Sequence, residues 1–110
     1  MSLVVLFDDE RSFLPGFRDE ATVVRTVDEA KELFASLSGE TIDELWLDFV
    51  LSPGSTTDAL PALAGVKATK ILFHSSAYAA KELVEHYLKQ AGIETPVEIH
   101  GREVFVPETR

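Results

Sequence analysis

The chain has 110 residues, no cysteine, and ten lysines and arginines against nineteen aspartates and glutamates, for a formal net charge of −9. This length suffices for one domain (residues 1–110), and the composition excludes disulfides, zinc–thiolate sites and cysteine nucleophiles. The negative field argues against nucleic acid and anionic membrane surfaces as partners. Because no apolar run approaches the roughly 20 residues of a membrane span and no signal peptide is recognisable, a cytoplasmic location is expected.

The predicted elements alternate between strand and helix from the N-terminus. Leu3–Phe7 is apolar at every position, as in the central strand of a parallel sheet. Pro15-Gly16 interrupts the short stretch before the second strand, Thr22–Arg25, so this first connection is expected to be irregular. Thr26 and Glu29 then have the spacing of a capping box, which predicts the start of the first helix.

Three further strands and two further helices are predicted towards the C-terminus. The strands are Glu44–Asp48, Lys70–Phe73 and Val97–His100, and the helices run from Thr57 or Asp58 to about Leu63 and from about Ala77 to Ala91. In the longer helix Leu83, Val84 and Leu88 belong to the predicted core stripe. A last strand, Glu103–Val106, follows Gly101-Arg102, and a Gly-X pair between two strands predicts a tight β-hairpin.

This alternation predicts an α/β fold, a three-layer α/β/α sandwich with helices on both faces of the sheet. The expected sheet is flavodoxin-like, mainly parallel and of order 2-1-3-4-5, with the C-terminal hairpin added to it. In that order strands one and three are neighbours, and ligands bind outside their carboxyl ends.

Carboxylates follow the two strands that meet at this point. Asp8 and Asp9 come directly after strand one, and Asp48 comes after strand three. Like charges brought so close together call for a compensating cation, and Mg²⁺ is the hard cation that prefers oxygen ligands. The sequence therefore predicts a Mg²⁺ site formed by Asp8, Asp9 and Asp48.

His74 and Ser75 follow strand four, at the adjacent position of the same edge. Ser75 is suited to hydrogen-bond a phosphoryl oxygen, and His74 to act as an acid, a base or a phosphate contact. Both residues also suit a purely structural role as helix caps. Arg25 is expected either to point into this site or to lie on the surface, and Trp46 is expected in the core.

These residues resemble the receiver superfamily, whose members have an acidic pair after strand one and a phospho-accepting Asp after strand three. A Ser or Thr follows strand four in that superfamily, and a Lys follows strand five. Asp8-Asp9, Asp48 and Ser75 match the first three positions, but no lysine matches the last.

A closer resemblance, over roughly residues 3–90, is to cyclic-phosphate-processing receiver domains. The segments that carry it are Asp8-Asp9-Glu10-Arg11, Arg25-Thr26-Val27-Asp28-Glu29-Ala30, Leu47-Asp48-Phe49-Val50-Leu51 and His74-Ser75. The third-strand motif of that family contains a His and a second Asp where this chain has Phe49 and Val50. The resemblance therefore implies a receiver-like fold in which part of the acid–base or metal-binding machinery is lost.

Three functions remain open at this point. The first is a degenerate receiver-like domain, a regulatory or protein-binding module with an acidic, Mg²⁺-binding pocket and a protein partner. The second is a Mg²⁺-dependent phosphoesterase that acts on a cyclic phosphate or related ester, with Asp48, His74 and Ser75 as catalytic residues. The third is a response-regulator receiver in which Asp48 accepts a phosphoryl group. Phe49, Val50 and the missing lysine favour the first, and whether the chain is an enzyme stays undecided.

Overall fold

A computed structural model describes residues 3–8, 11–18, 20–48, 56–73, 78–99 and 105–107. The elements in chain order are β1 Val4–Phe7, β2 Arg11–Phe13, β3 Thr22–Val24, α1 Val27–Ser36, β4 Thr41–Leu47, α2 Thr56–Ala59, a 3₁₀ turn Leu60–Leu63, β5 Lys67–Phe73, α3 Tyr78–Gln90, β6 Val97–Ile99 and β7 Phe105–Pro107. In this described part of the chain no helix is long and apolar enough to cross a membrane.

Five strands form one sheet in the order β3-β1-β4-β5-β6, and each neighbouring pair is parallel. The predicted α/β class and parallel sheet are confirmed. The strand numbers differ from the predicted ones because β2 was not expected as a strand. Counted over the five parallel strands alone, the order is 2-1-3-4-5.

The buried side chains form two clusters, one on each face of the sheet. Side chains of a strand alternate between faces. Phe7 and Leu47 belong to the larger cluster, together with helical residues such as Phe34 of α1, Ala59 of α2 and Val84 of α3. The three helices therefore pack on one face, which we call the helical face.

The second face is covered by β2 and the loop that follows it. Leu6 and Trp46 of the sheet pack there against Phe13 of β2, with Phe17 of the loop at the margin. Helices were expected on both faces, and the structure differs because of its topology. From β1 the chain first moves to β3 on one side, and the later strands are added on the other side of β1. A right-handed connection from β1 to β3 therefore lies on the opposite face of the sheet from the later connections. That connection is the short one, and its described residues contain no helix.

The predicted C-terminal hairpin is wrong. β6 joins the main sheet by pairing with β5, whereas β7 pairs antiparallel with β2 in a separate two-stranded sheet. A Gly-X signal between two strands favours a turn but does not determine which strands pair. The predicted turn residues, Gly101 and Arg102, lie outside the described residues.

Helix α1 begins where the sequence predicts. The Thr26 hydroxyl accepts a hydrogen bond from the Glu29 N–H at 3.1 Å, and the Glu29 carboxylate accepts one from the Thr26 N–H, also at 3.1 Å. This is the predicted capping box. Gly39 follows the helix with a φ of +86°, a conformation that glycine adopts without strain.

Helix α3 differs from its prediction at one core position. Val84 and Leu88 are buried as expected, but the Leu83 side chain is 42% exposed. Consecutive residues on a helix point about 100° apart, so Leu83 cannot face the core as fully as Val84 does.

Candidate functional site

The carboxyl ends of β1 and β4 lie side by side in the sheet. Phe7 is paired with Leu47 in the parallel register, and the Asp48 N–H donates to the Phe7 carbonyl at 3.1 Å. On the other side of β1, the Asp8 N–H donates to the Val24 carbonyl at 3.2 Å. The hydrogen bonding of the sheet thus continues one residue beyond each strand. Asp8 and Asp48 therefore lie next to each other in the parallel register. We call this place the acidic edge.

Both aspartates of the acidic edge are buried. Asp8 is 0% and Asp48 8% exposed, and no other charged residue of the described chain is classed as buried. Aspartate is rarely buried in proteins unless another group compensates its charge. Two neighbouring carboxylates add mutual repulsion to the cost of desolvation. The acidic edge is therefore suited to recruit positive charge.

Arg25 brings positive charge to the same edge, directly after β3. Its guanidinium donates from Nη1 to the Asp8 carbonyl oxygen at 3.1 Å and from Nη2 to Ser12 Oγ at 2.7 Å. Of the two positions expected for Arg25, the structure therefore places it at the site. Ser12 was missed by the sequence analysis, because nothing in the sequence identified β2 as a strand or Ser12 as a partner of Arg25.

The other predicted site residues cannot be placed in the same way. Asp9, His74 and Ser75 lie outside the described residues, as do Phe49 and Val50. Of the three predicted Mg²⁺ ligands, the structure brings together Asp8 and Asp48. Within the described ranges, no three histidine, aspartate or glutamate side chains form a metal-binding group.

A separate polar cluster lies at the second face. Arg18 donates to both carboxylate oxygens of Glu44, at 2.8 and 2.9 Å, and Trp46 Nε1 donates to Glu44 at 3.0 Å. The hydrogen bonds from Arg18 lower the pKa of Glu44 most; partial burial opposes this effect, and the bond from Trp46 adds to it. The bond to Glu44 in turn raises the pKa of Arg18. This cluster fastens the loop to β4, and Trp46 is buried as predicted.

Described residues line two cavities, and the larger of the two lies away from the acidic edge. One of about 310 Å³ is lined by Thr41, Lys67 and Thr69, among others, at the amino ends of β4 and β5. Parallel strands place this cavity at the opposite end of the sheet from Asp8 and Asp48. A smaller one of about 150 Å³ lies under the loop, between Ser12 and Arg18. The acidic edge, with its buried charges, remains the candidate functional site.

Comparison with known proteins gives a match over most of the chain. A family model described as "cyclic-phosphate processing receiver domain" matches residues 3–90. The matched region runs from β1 to the end of α3 and includes both aspartates of the acidic edge. No curated protein and no solved structure matches the chain.

Proposed function

The chain belongs to the family of cyclic-phosphate processing receiver domains, and we propose that it is a receiver-like regulatory module whose acidic edge binds a divalent cation. In this proposal Mg²⁺ is held by Asp8, Asp9 and Asp48, and the module acts through a protein partner. Phe49 and Val50 stand where the family has a His and an Asp. The proposal therefore favours binding and regulation over turnover.

The burial of Asp8 and Asp48 side by side is the observation that carries this proposal. Mg²⁺ is usually bound by one or two carboxylates together with several water molecules, so the two described aspartates fit its requirements. When bound, the cation neutralises the two carboxylates and attracts a phosphate-bearing ligand. Arg25 offers a second positive charge for such a ligand at the same edge.

A Mg²⁺ titration with melting temperature as readout tests the proposal. We expect a concentration ten times the dissociation constant to stabilise the wild type by about 1.4 kcal/mol, or roughly 5 °C in Tm. Asp48→Asn removes one ligand charge and should lose most of this gain.

Glu94→Gln is the matched control for this titration. Glu94 is exposed beside the cavity at the amino ends of β4 and β5, at the opposite end of the sheet, so its variant loses the same charge away from the acidic edge and should keep the full response. A wild type whose Tm does not respond to about 10 mM Mg²⁺, or a response that Asp48→Asn retains, would contradict the proposal.

A phosphoesterase is the second candidate function. The description of the matching family model favours it, and His74-Ser75 follows β5, the strand beside β4. Incubation with cyclic phosphate esters and Mg²⁺, followed by ³¹P NMR, should then show ring opening to a monoester. Asp48→Asn should slow that reaction at least about 100-fold, as expected for loss of a metal ligand. Equal rates in the two proteins would place the activity outside the acidic edge.

A further inference from the structure

Arg25 connects the two ends of the short segment between β1 and β2. One nitrogen of its guanidinium donates to the carbonyl oxygen of Asp8, the residue that follows β1, and another donates to Ser12 in β2. A guanidinium is planar and rigid, so two bonds from one group fix the separation of their acceptors. Arg25 thereby sets the distance between the end of β1 and the start of the second-face segment.

Arg25 is itself held in place by its main chain. Its N–H donates to the Glu29 carboxylate at 2.8 Å, and the same oxygen caps α1 through Thr26. The residue before it, Val24, pairs with Phe7 and accepts from the Asp8 N–H. The guanidinium therefore extends from a main chain that is tied both to β1 and to the first turn of α1.

We infer that Arg25 is a positioning residue, which fixes the main chain from which the Asp8 carboxylate extends and so sets the cation affinity of the acidic edge. This inference rests on the proposed function. The guanidinium bonds to the Asp8 main-chain carbonyl and to the Ser12 hydroxyl join two parts of the main chain and so define its geometry. A role as a mere counter-charge predicts the opposite outcome, because removing a positive charge would tighten cation binding.

Mn²⁺ binding measured by EPR distinguishes the two roles, because Mn²⁺ accepts the same oxygen ligands as Mg²⁺. Arg25→Lys keeps the charge but loses the rigid fork, and Arg25→Gln loses both. If Arg25 positions Asp8, both variants should weaken Mn²⁺ binding by about tenfold, the usual effect of removing a group that orients a ligand. Ser12→Ala, which breaks one of the two contacts, should weaken it by about threefold.

The opposite pattern would overturn the inference. If Arg25→Gln tightens Mn²⁺ binding while Arg25→Lys leaves it unchanged, Arg25 acts through its charge alone. Lys31→Gln serves as control, because Lys31 is an exposed residue of α1 whose removal changes the net charge equally. That variant should bind Mn²⁺ with wild-type affinity to within about twofold.

Amide hydrogen exchange in metal-free protein gives a readout that does not depend on the cation. In Arg25→Lys and Arg25→Gln the amides of Ser12 and Phe13 should exchange about tenfold faster, while those in the middle of α1 keep wild-type rates. Unchanged exchange at Ser12 and Phe13 would show that Arg25 does not hold this segment. If the wild type does not bind Mn²⁺ although amide exchange at Ser12 and Phe13 is faster in the Arg25 variants, the cation site is refuted. The effect of Arg25 on cation affinity is then refuted with it.

Discussion

Glu44 joins the loop after β2 to its own strand, β4. It accepts two hydrogen bonds from Arg18 in the loop and one from Trp46 two residues along its own strand. The Arg18 guanidinium also lies 4.5 Å from the centre of the Phe17 ring. Arg18 adopts a φ of +57°, which is uncommon for a residue with a side chain and costs free energy. The contacts with Glu44 offset this cost and hold the loop against the second face.

The stability of the protein should depend on pH through Glu44. Its pKa is lowered in the folded state, so its contribution is complete above the pKa of an unfolded glutamate and is lost as pH falls through the folded value. Glu44→Gln should cost about 1 kcal/mol at pH 7, a modest amount because water screens a partly exposed pair. Urea denaturation at pH 7 and pH 3 should show the difference from wild type shrinking at the lower pH.

Glu40→Gln is the control for this pH dependence. Glu40 is exposed in the turn before β4 and should leave the free energy of unfolding within about 0.5 kcal/mol of wild type. A Glu44→Gln penalty of equal size at both pH values would mean that the ionised carboxylate does not stabilise the loop.

Individual residues were predictable where a local pattern and the topology agreed. Asp8 and Asp48 were placed correctly because each follows an apolar strand and the expected order made those strands neighbours. Arg18 and Glu44 offered no such pattern: they are 26 positions apart, and Arg18 belongs to an irregular loop. A contact of that kind depends on the path of the loop, which side-chain periodicity does not encode.

Among the elements, those with local signals were predicted best. The capping box of α1 is contained within four residues, and the structure reproduces it. β2 and β7 are three residues long each, and they pair with one another from opposite ends of the chain. β2 has too few alternating residues to be recognised, so its segment was expected to be irregular. A strand was expected near β7, at Glu103–Val106, but its predicted pairing partner was wrong.

The capping box yields a prediction for the stability of α1. Thr26→Ala removes the side-chain oxygen that accepts from the Glu29 N–H and should cost about 1 kcal/mol in the free energy of unfolding. Thr26→Ser retains a hydroxyl and should stay within about 0.5 kcal/mol of the wild type. Urea denaturation of the three proteins measures both differences, and equal losses in the two variants would mean that the hydroxyl does not cap the helix.

At the scale of the whole molecule, one topological reversal explains both the fold and the site. β1 lies between β3 and β4. The chain first adds β3 on one side of β1 and then adds β4 on the other side. This reversal brings the ends of β1 and β4 together at one edge of the sheet. It also separates the helical face from the second face, since connections on either side of a reversal lie on opposite sides of the sheet.

The net charge of −9 is spread over a molecule that measures 35 × 33 × 24 Å. At about 10 mM salt the Debye length of about 30 Å matches these dimensions, so most of the acidic groups repel one another across the whole molecule. At about 0.5 M salt only acidic groups that are immediate neighbours still repel one another. Raising NaCl over this range should therefore stabilise the fold by about 1 kcal/mol, or roughly 4 °C in Tm.

A variant with less surface charge tests the origin of this salt effect. Glu32 and Glu82 are exposed on α1 and α3, and replacing both with glutamine should reduce the gain in Tm from NaCl. An undiminished gain would mean that long-range repulsion is not its cause. The NaCl series also provides the reference for the acidic edge: Mg²⁺ bound at Asp8 and Asp48 must raise Tm more than NaCl of equal ionic strength does, because screening depends on ionic strength whereas a site depends on the ion.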